Sequence, residues 1–305
     1  MKGTRVILLP AAAPSFRSAL ALMSLALLAA CGGGGAPQQM GPSGPPPHVV
    51  AMYQTVQDGE YTIPAVNPGY LVPQNVRQTV SYNGPDLPGT IVVDPHARVL
   101  YYVEEGGMAT RYGIAVGREG RGFTGAAVIS REAEWPRWQP TANMVRTDPE
   151  VYGPYRNGIE GGLDNPLGAR ALYLYRGGRD TYYRIHGTNN SSTIGRATSA
   201  GCIRLFNQDI LDLYDRVPLG TPVKVRTLEE SIALEGQMVE GPDGLMIPLA
   251  SLPADVQNAI AMGQTPWPPF VAESSISPAN SIGSAEGLAA AGLNDPAAVT
   301  VVPIN

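Results

Sequence analysis

Cysteine and histidine are scarce, with two of the first and three of the second in 305 residues. Two widely separated cysteines exclude a disulfide framework. Three scattered histidines supply no ligand cluster, so neither a metal nor a cofactor is expected. The stretch Gly117 to Gly125 is rich in glycine but lacks phosphate-loop spacing, and no Gly-Lys-Ser/Thr follows it, so nucleotide binding is not indicated. No Lys or Arg occurs after Arg226, whereas nine acids do, and the net charge is −5. That balance gives no reason to expect a nucleic-acid partner. The apolar run Ala19 to Ala30 is about a dozen residues, too short to span a bilayer by itself.

That run is instead the core of a targeting segment, preceded by Lys2, Arg5 and Arg17. It ends in Leu28-Ala29-Ala30-Cys31-Gly32, which resembles a bacterial lipobox. The resemblance implies lipidation of Cys31 as the mature N-terminus; the alternative is an ordinary cleaved signal with an incidental cysteine. Gly32, rather than Asp, after the cysteine implies a periplasmic protein held at the outer membrane by its N-terminal lipid. Residues 1–31 are thus read as a lipoprotein signal peptide and residues 32–47, with repeated Gly and Pro, as a flexible tether. Residues 48–87 scatter Tyr53, Tyr61, Tyr70 and Tyr82 without periodicity and are read as a partly ordered lead-in, with His48 solvated.

From residue 88 the pattern is a β-meander, giving a mainly β fold with short helices. Thr90 to Asp94 and Arg98 to Val103 read as strands around a turn at Pro95-His96-Ala97, with His96 exposed in that turn. Ala109 to Val116 and Ala126 to Ser130 follow as further strands. Glu134 to Pro140 holds Trp135 and Trp138, either as a wall of a substrate cleft or as loop packing over the sheet. Asp148 to Leu163 reads as a long loop or lid.

The most informative stretch is Ile185-His186-Gly187-Thr188, followed after a polar loop by Ser199-Ala200-Gly201-Cys202-Ile203-Arg204-Leu205. Leu172 to Tyr175 and Tyr182 to Ile185 form a hairpin around Arg176 to Asp180, which delivers His186 at a strand end. After Cys202, Asn207 is a candidate N-cap, and Ile210, Leu211, Tyr214 and Val217 mark the apolar face of a helix that Pro218 ends. A free thiol is mostly protonated at neutral pH, and a nearby imidazole can take its proton. Gly201 lets backbone N–H groups approach a bound carbonyl, as an oxyanion hole requires.

His-Gly-Thr, a loop, then Ser-x-Gly-Cys-Ile-Arg-Leu resembles the signature of the peptidoglycan L,D-transpeptidases. Asn165 to Leu174 and Gly220 to Val225 resemble the flanking segments of that family, so the resemblance covers the catalytic domain at residues 88–227. It implies a β-sandwich-like fold, Cys202 as nucleophile and His186 as base. It also implies substrate or oxyanion contacts from Gly187, Ser199, Gly201 and Arg204. Arg204 could instead pair with Asp209 or Asp212. The partner orienting His186 is read as a backbone carbonyl, that of Gly187, with Asp180 as an alternative. Many family members carry a second basic residue directly before Gly-Cys, where this chain has Ala200.

The implied reaction is transfer between peptidoglycan stem peptides, with another stem or the amine of an outer-membrane protein as acceptor. Hydrolysis on the same fold and wall binding without catalysis remain alternatives. A papain-like peptidase is disfavoured because those enzymes place Cys before His in the chain. Downstream, residues 228–265 read as a short helical extension, with a helix starting near Ser251 to Asp255, and residues 266–305 as a disordered acidic tail.

Overall fold

The chain is described by a computed structural model covering residues 44–117, 123–140, 142–147, 149–199 and 202–268. The signal segment with Cys31, most of the tether and nearly all of the acidic tail lie outside the described residues.

Short β-favouring runs broken by glycine turns make this a strand-rich chain. In order they are β1 (Val56–Asp58), β2 (Tyr61–Ile63), β3 (Gln78–Ser81), β4 (Ile91–Asp94), β5 (Val99–Glu104), β6 (Met108–Gly113), β7 (Ala115–Gly117) and β8 (Gly125–Glu134). Then come β9 (Arg170–Arg176), β10 (Arg179–His186), β11 (Ala197–Ser199), β12 (Ile203–Arg204), β13 (Pro222–Val225), β14 (Met238–Glu240) and β15 (Met246–Pro248). The helices are α1 (Pro47–Met52), α2 (Ala142–Thr147), α3 (Pro149–Tyr152), α4 (Asn207–Arg216), α5 (Leu228–Glu235) and α6 (Ala254–Ala261).

Eleven strands join one sheet in the order β11-β7-β12-β10-β9-β8-β13-β4-β5-β6-β3. Ile91, Val93 and Leu100 from one half share a core with Leu172, Leu174, Ile185 and Ile203 from the other. The sheet therefore folds over on itself like a sandwich, mainly β as the sequence implied. Helix α4 fills the same core with Ile210, Leu213 and Val217. The buried face includes Leu213 where the sequence pointed to Leu211, which is only half-buried. Tyr214 lies partly buried against that core.

The β9–β10 hairpin turns on Gly177 and Gly178, whose φ values of 56° and 76° suit the two-residue turns that match strand twist. The turn is tighter than the sequence suggested, and the strands run into the arginines on either side. A bulge between Asp180 and Arg184, with Tyr182 at φ 62°, resets the register before His186. In the β4–β5 turn, the Asp94 carboxylate accepts the N–H groups of His96 and Ala97 at 3.0 and 2.8 Å. His96 is half-buried there, not exposed as the sequence suggested, while His48 is exposed on α1.

Two outer segments correct the sequence reading. The lead-in is folded: β3 pairs with β6, extending the main sheet. Val49, Tyr53, Val66, Leu71 and Val76 form a second core with Ala115, Ile194 and Phe206. Packing against a completed sheet organises a segment that has no periodicity of its own. The C-terminal extension is not purely helical: between α5, which opens with a capping box of Thr227 and Glu230, and α6 lies the hairpin β14–β15. Buried Arg98 ties that hairpin to the loop after His186, donating to the carbonyl of Gly195 at 2.9 Å and pairing with Glu240. Asp148 lies outside the described residues, and residues 149–163 carry α3, a 3₁₀ turn and an isolated bridge between Trp138 and Ile159.

Candidate active site

Strands β10 and β12 run parallel, with Ile185 opposite Ile203 and His186 opposite Arg204. Side chains alternate between faces along a strand. Ile185 and Ile203 point into the core, so His186 and Arg204 project from the other face. Continuing the register one residue back from β12 sets Cys202 beside Arg184. The row through Cys202 continues across the sheet to Arg184, Tyr173 and Arg131, which are successive cross-strand partners. The guanidinium carbons of Arg131 and Arg184 lie 4.1 and 4.3 Å from the Tyr173 ring centroid.

His186 is buried, and its Nδ1 lies 2.7 Å from the carbonyl oxygen of Gly187. A carbonyl only accepts, so Nδ1 carries the hydrogen and Nε2 keeps the lone pair. Burial, then the positive charge of Arg204, pushes the imidazole down to about 3. The hydrogen bond that Nδ1 donates to the Gly187 carbonyl acts in the opposite direction but does not prevail. Cys202 is free and half-buried. Burial pushes its thiol up, while Arg204, Arg184 and a hydrogen bond from the backbone of Arg184 pull it back. Both shifts favour an uncharged thiol beside an uncharged imidazole over an ion pair. A thiolate forms only as the proton moves.

Asp180 is not the partner of His186, because it binds Arg184 through both oxygens at 2.7 and 2.8 Å. Arg204 does not pair with Asp209 or Asp212. Asp209 accepts from Tyr53 at 3.1 Å, and Asp212 binds Arg77 at 3.0 Å and accepts from Tyr112 at 2.6 Å. Among the described residues Arg204 has no ion pair, and its buried Nε lacks a hydrogen-bond partner. Burial draws its pKa down, yet guanidinium stays charged and free to bind an anion. Gly187 is not an oxyanion donor: its N–H is spent on the carbonyl of Arg170 at 3.1 Å. Ser199 lies on β11 opposite Gly117, with nothing described of its side chain. Gly201 lies outside the described residues, as does Ala200.

Trp135 turns out to be a packing residue that also donates from its indole. It stacks on Tyr61 with centroids 4.1 Å apart, and its Nε1 donates to Asp58 at 2.8 Å. Asp58 in turn binds Arg170 through both oxygens at 2.7 and 2.9 Å, fixing the β1–β2 hairpin to the strand before His186.

Sequence reasoning missed two contributors. Arg184 was marked only by its two-residue spacing from His186. Asn207 is not an N-cap, since Phe206 holds that position without a side-chain bond and the Asn207 amide is engaged elsewhere. Among the described residues no cluster of His, Cys, Asp or Glu could hold a metal. No helix among them is long and apolar enough to cross a membrane.

Residues 88–225 match the YkuD family, described as the L,D-transpeptidase catalytic domain. The probable L,D-transpeptidase ErfK/SrfK of Escherichia coli (strain K12) is 35% identical over 139 residues, 45% of this chain and 43% of that protein. A candidate L,D-transpeptidase of Fuscovulum blasticum, from the ATP synthase subunits region, is 38% identical over 142 residues, 44% of this chain and 68% of its own length. The chain spans about half the length of the first curated relatives it matches, 43% and 57% for the Escherichia coli and Salmonella typhimurium proteins. Among solved structures, one from Brucella melitensis described as a probable carnitine operon oxidoreductase, caia, is 55% identical. It covers 48% of this chain and 89% of that one with a TM-score of 0.36. At that TM-score the likeness carries no fold argument, and the named activity is that protein's. With a family match across the strands that hold His186 and Cys202 and relatives above 30% identity, this chain belongs to the L,D-transpeptidase family.

Proposed function

We propose that the chain is a cysteine-dependent acyltransferase of the bacterial cell wall. The observation that carries this reading is the pairing of β10 with β12, which sets His186 opposite Arg204, two residues after Cys202, with Nδ1 of the histidine committed to Gly187. The Cys202 sulfur attacks the carbonyl of the third residue of a tetrapeptide stem, and His186 takes the thiol proton. A C–S bond forms, the C–N bond to the terminal D-alanine breaks, and the departing amine receives that proton. An acceptor amine then attacks the thioester, gives its proton to His186, and releases the thiol. Arg204, charged and without a carboxylate partner among the described residues, holds a carboxylate of the stem by its planar fork. The acceptor is another stem peptide or the amine of an outer-membrane protein. The protein acts in the periplasm, held by a lipid on Cys31.

Intact-mass measurement after incubation with a carbapenem, which acylates cysteine enzymes of this family, tests the nucleophile. A single adduct on the wild type and none on Cys202→Ala is expected; an adduct that survives the substitution refutes the assignment. Muropeptide analysis then separates transfer from hydrolysis, since release of D-alanine without any new linkage would assign the chain to the hydrolases.

A further inference from the structure

We propose that Asn207 is a positioning residue for His186, acting through one shared peptide plane. Asn207 is the first residue of α4, which starts shortly after Cys202. Its side chain reaches back across the site instead of capping the helix. Oδ1 accepts the N–H groups of Thr188 at 3.1 Å and Ala169 at 3.0 Å, and Nδ2 donates to the carbonyl of Thr188 at 2.8 Å.

The bond to Thr188 matters most. A trans peptide is planar, with its C=O and N–H pointing in opposite directions. The Thr188 N–H and the Gly187 C=O belong to the same peptide unit. Pinning the N–H on Asn207 therefore aims the carbonyl away from the helix, and that carbonyl is the acceptor 2.7 Å from Nδ1 of His186. Asn207 thus determines where the imidazole finds its acceptor, and through it which ring nitrogen keeps the lone pair.

Two glycines make the space for this amide. A Cβ on Gly187 would lie 2.2 Å from Oδ1 of Asn207, and one on Gly168 would lie 2.3 Å from the same atom. Gly168 also has φ +64°, where a side chain is strained. One side chain therefore braces Thr188, whose N–H shares a peptide plane with the acceptor carbonyl, and Ala169, from the helix that follows Cys202.

This inference rests on His186 being the base of the proposed reaction. Its test has a readout that does not depend on turnover. The chain has three histidines, so the ring ¹⁵N spectrum of labelled protein is simple, and His186→Gln assigns the signal. The wild type should show His186 as the Nδ1–H tautomer. In Asn207→Ala that signal should move toward a tautomer mixture. Carbapenem acylation should slow by roughly 10²-fold, the order expected for misplaced catalytic groups, while the concentration for half-maximal rate stays within about threefold. Asn207→Asp keeps the oxygen that accepts from Thr188 and should retain the tautomer and most of the rate. If Asn207→Ala does not fold, Asn207→Ser and Asn207→Asp decide, because serine cannot span the gap and aspartate can. An unchanged tautomer with wild-type acylation in the folded Ala or Ser variant overturns the proposal. Wild-type acylation in His186→Ala would instead overturn the assigned function and leave the tautomer result standing.

Discussion

His186 and Arg204 face each other directly across parallel strands β10 and β12, an imidazole beside a guanidinium that no carboxylate neutralises among the described residues. This pairing explains why the histidine stays neutral. Burial removes water from both side chains, and the fixed charge of Arg204 repels a second proton. A neutral imidazole has a lone pair on Nε2 to accept a proton.

The pH dependence of acylation follows from that. With His186 held down at about 3, no loss of rate centred near 6.5 is expected on acidification. The rate should rise toward alkaline pH on a limb that belongs to the coupled Cys202–His186 pair, because burial raises the thiol. His186→Ala should cost roughly 10²–10⁴-fold, and the double variant with Cys202→Ala should be scarcely worse than the worse single. His48→Ala and His96→Ala should cost little. An acid limb at about 6.5 that disappears in His186→Ala would contradict the neutral-pair description.

Arg204→Met separates function from stability. A buried charge without a partner is unfavourable, so its removal should leave the melting temperature equal or higher. The donor peptide should bind more weakly, with KM up by about tenfold or more if a charge-assisted bond worth roughly 1.5–3 kcal/mol is lost. Donor kinetics identical to wild type would mean that Arg204 does not touch substrate.

Asp209 governs a different pH response, through the lead-in. Its carboxyl is fully buried at the start of α4, accepts from Tyr53, and is pushed up to about 7, chiefly by burial. The folded chain therefore holds this proton more tightly than the unfolded chain does. Its contribution to stability is complete below about 4 and is lost as pH rises through 7. Asp209→Asn should gain stability over wild type progressively between those values and level off above, with a ceiling of ~4 kcal/mol at about 1.4 kcal/mol per unit. Denaturant unfolding at pH 5 and pH 8 measures it; an equal difference at both values would rule the account out.

Anchoring is tested at Cys31, which lies outside the described residues. Each buried CH₂ of an acyl chain contributes about 0.8 kcal/mol, so several chains hold a protein firmly at a membrane. Cys31→Ala should release the protein from the membrane fraction or stop its maturation. A mature N-terminus with no fatty-acid mass, and unchanged fractionation, would remove the lipid from the proposal.

Much of the site was legible because its residues are near neighbours along the chain. Alternation in Tyr182 to His186 indicates a strand, the two glycines after Arg176 indicate a turn, and Cys202 to Leu205 is one short string. The backbone acceptor for His186 was readable for the same reason, since Gly187 is its next residue. Asn207 misled because an Asn ahead of a helical pattern is an ordinary capping signal. Its amide instead meets backbone N–H groups at Thr188 and Ala169 that only the folded sheet brings within reach.

By itself the sequence determined the strand-rich architecture and the residues proposed as nucleophile and base, with their order, since periodicity and contiguous motifs are local properties of the chain. Tertiary structure alone decided which polar groups found partners. Among the described residues Arg204 has no ion pair, while Arg77 from the lead-in and Arg216 within α4 take Asp212, and Tyr53 takes Asp209. Ala115, opposite Arg204 in the sheet, belongs to a second core supplied largely by residues 49–76. A strand pattern tells which face a side chain occupies, but not which distant segment will cover that face and exclude water from it.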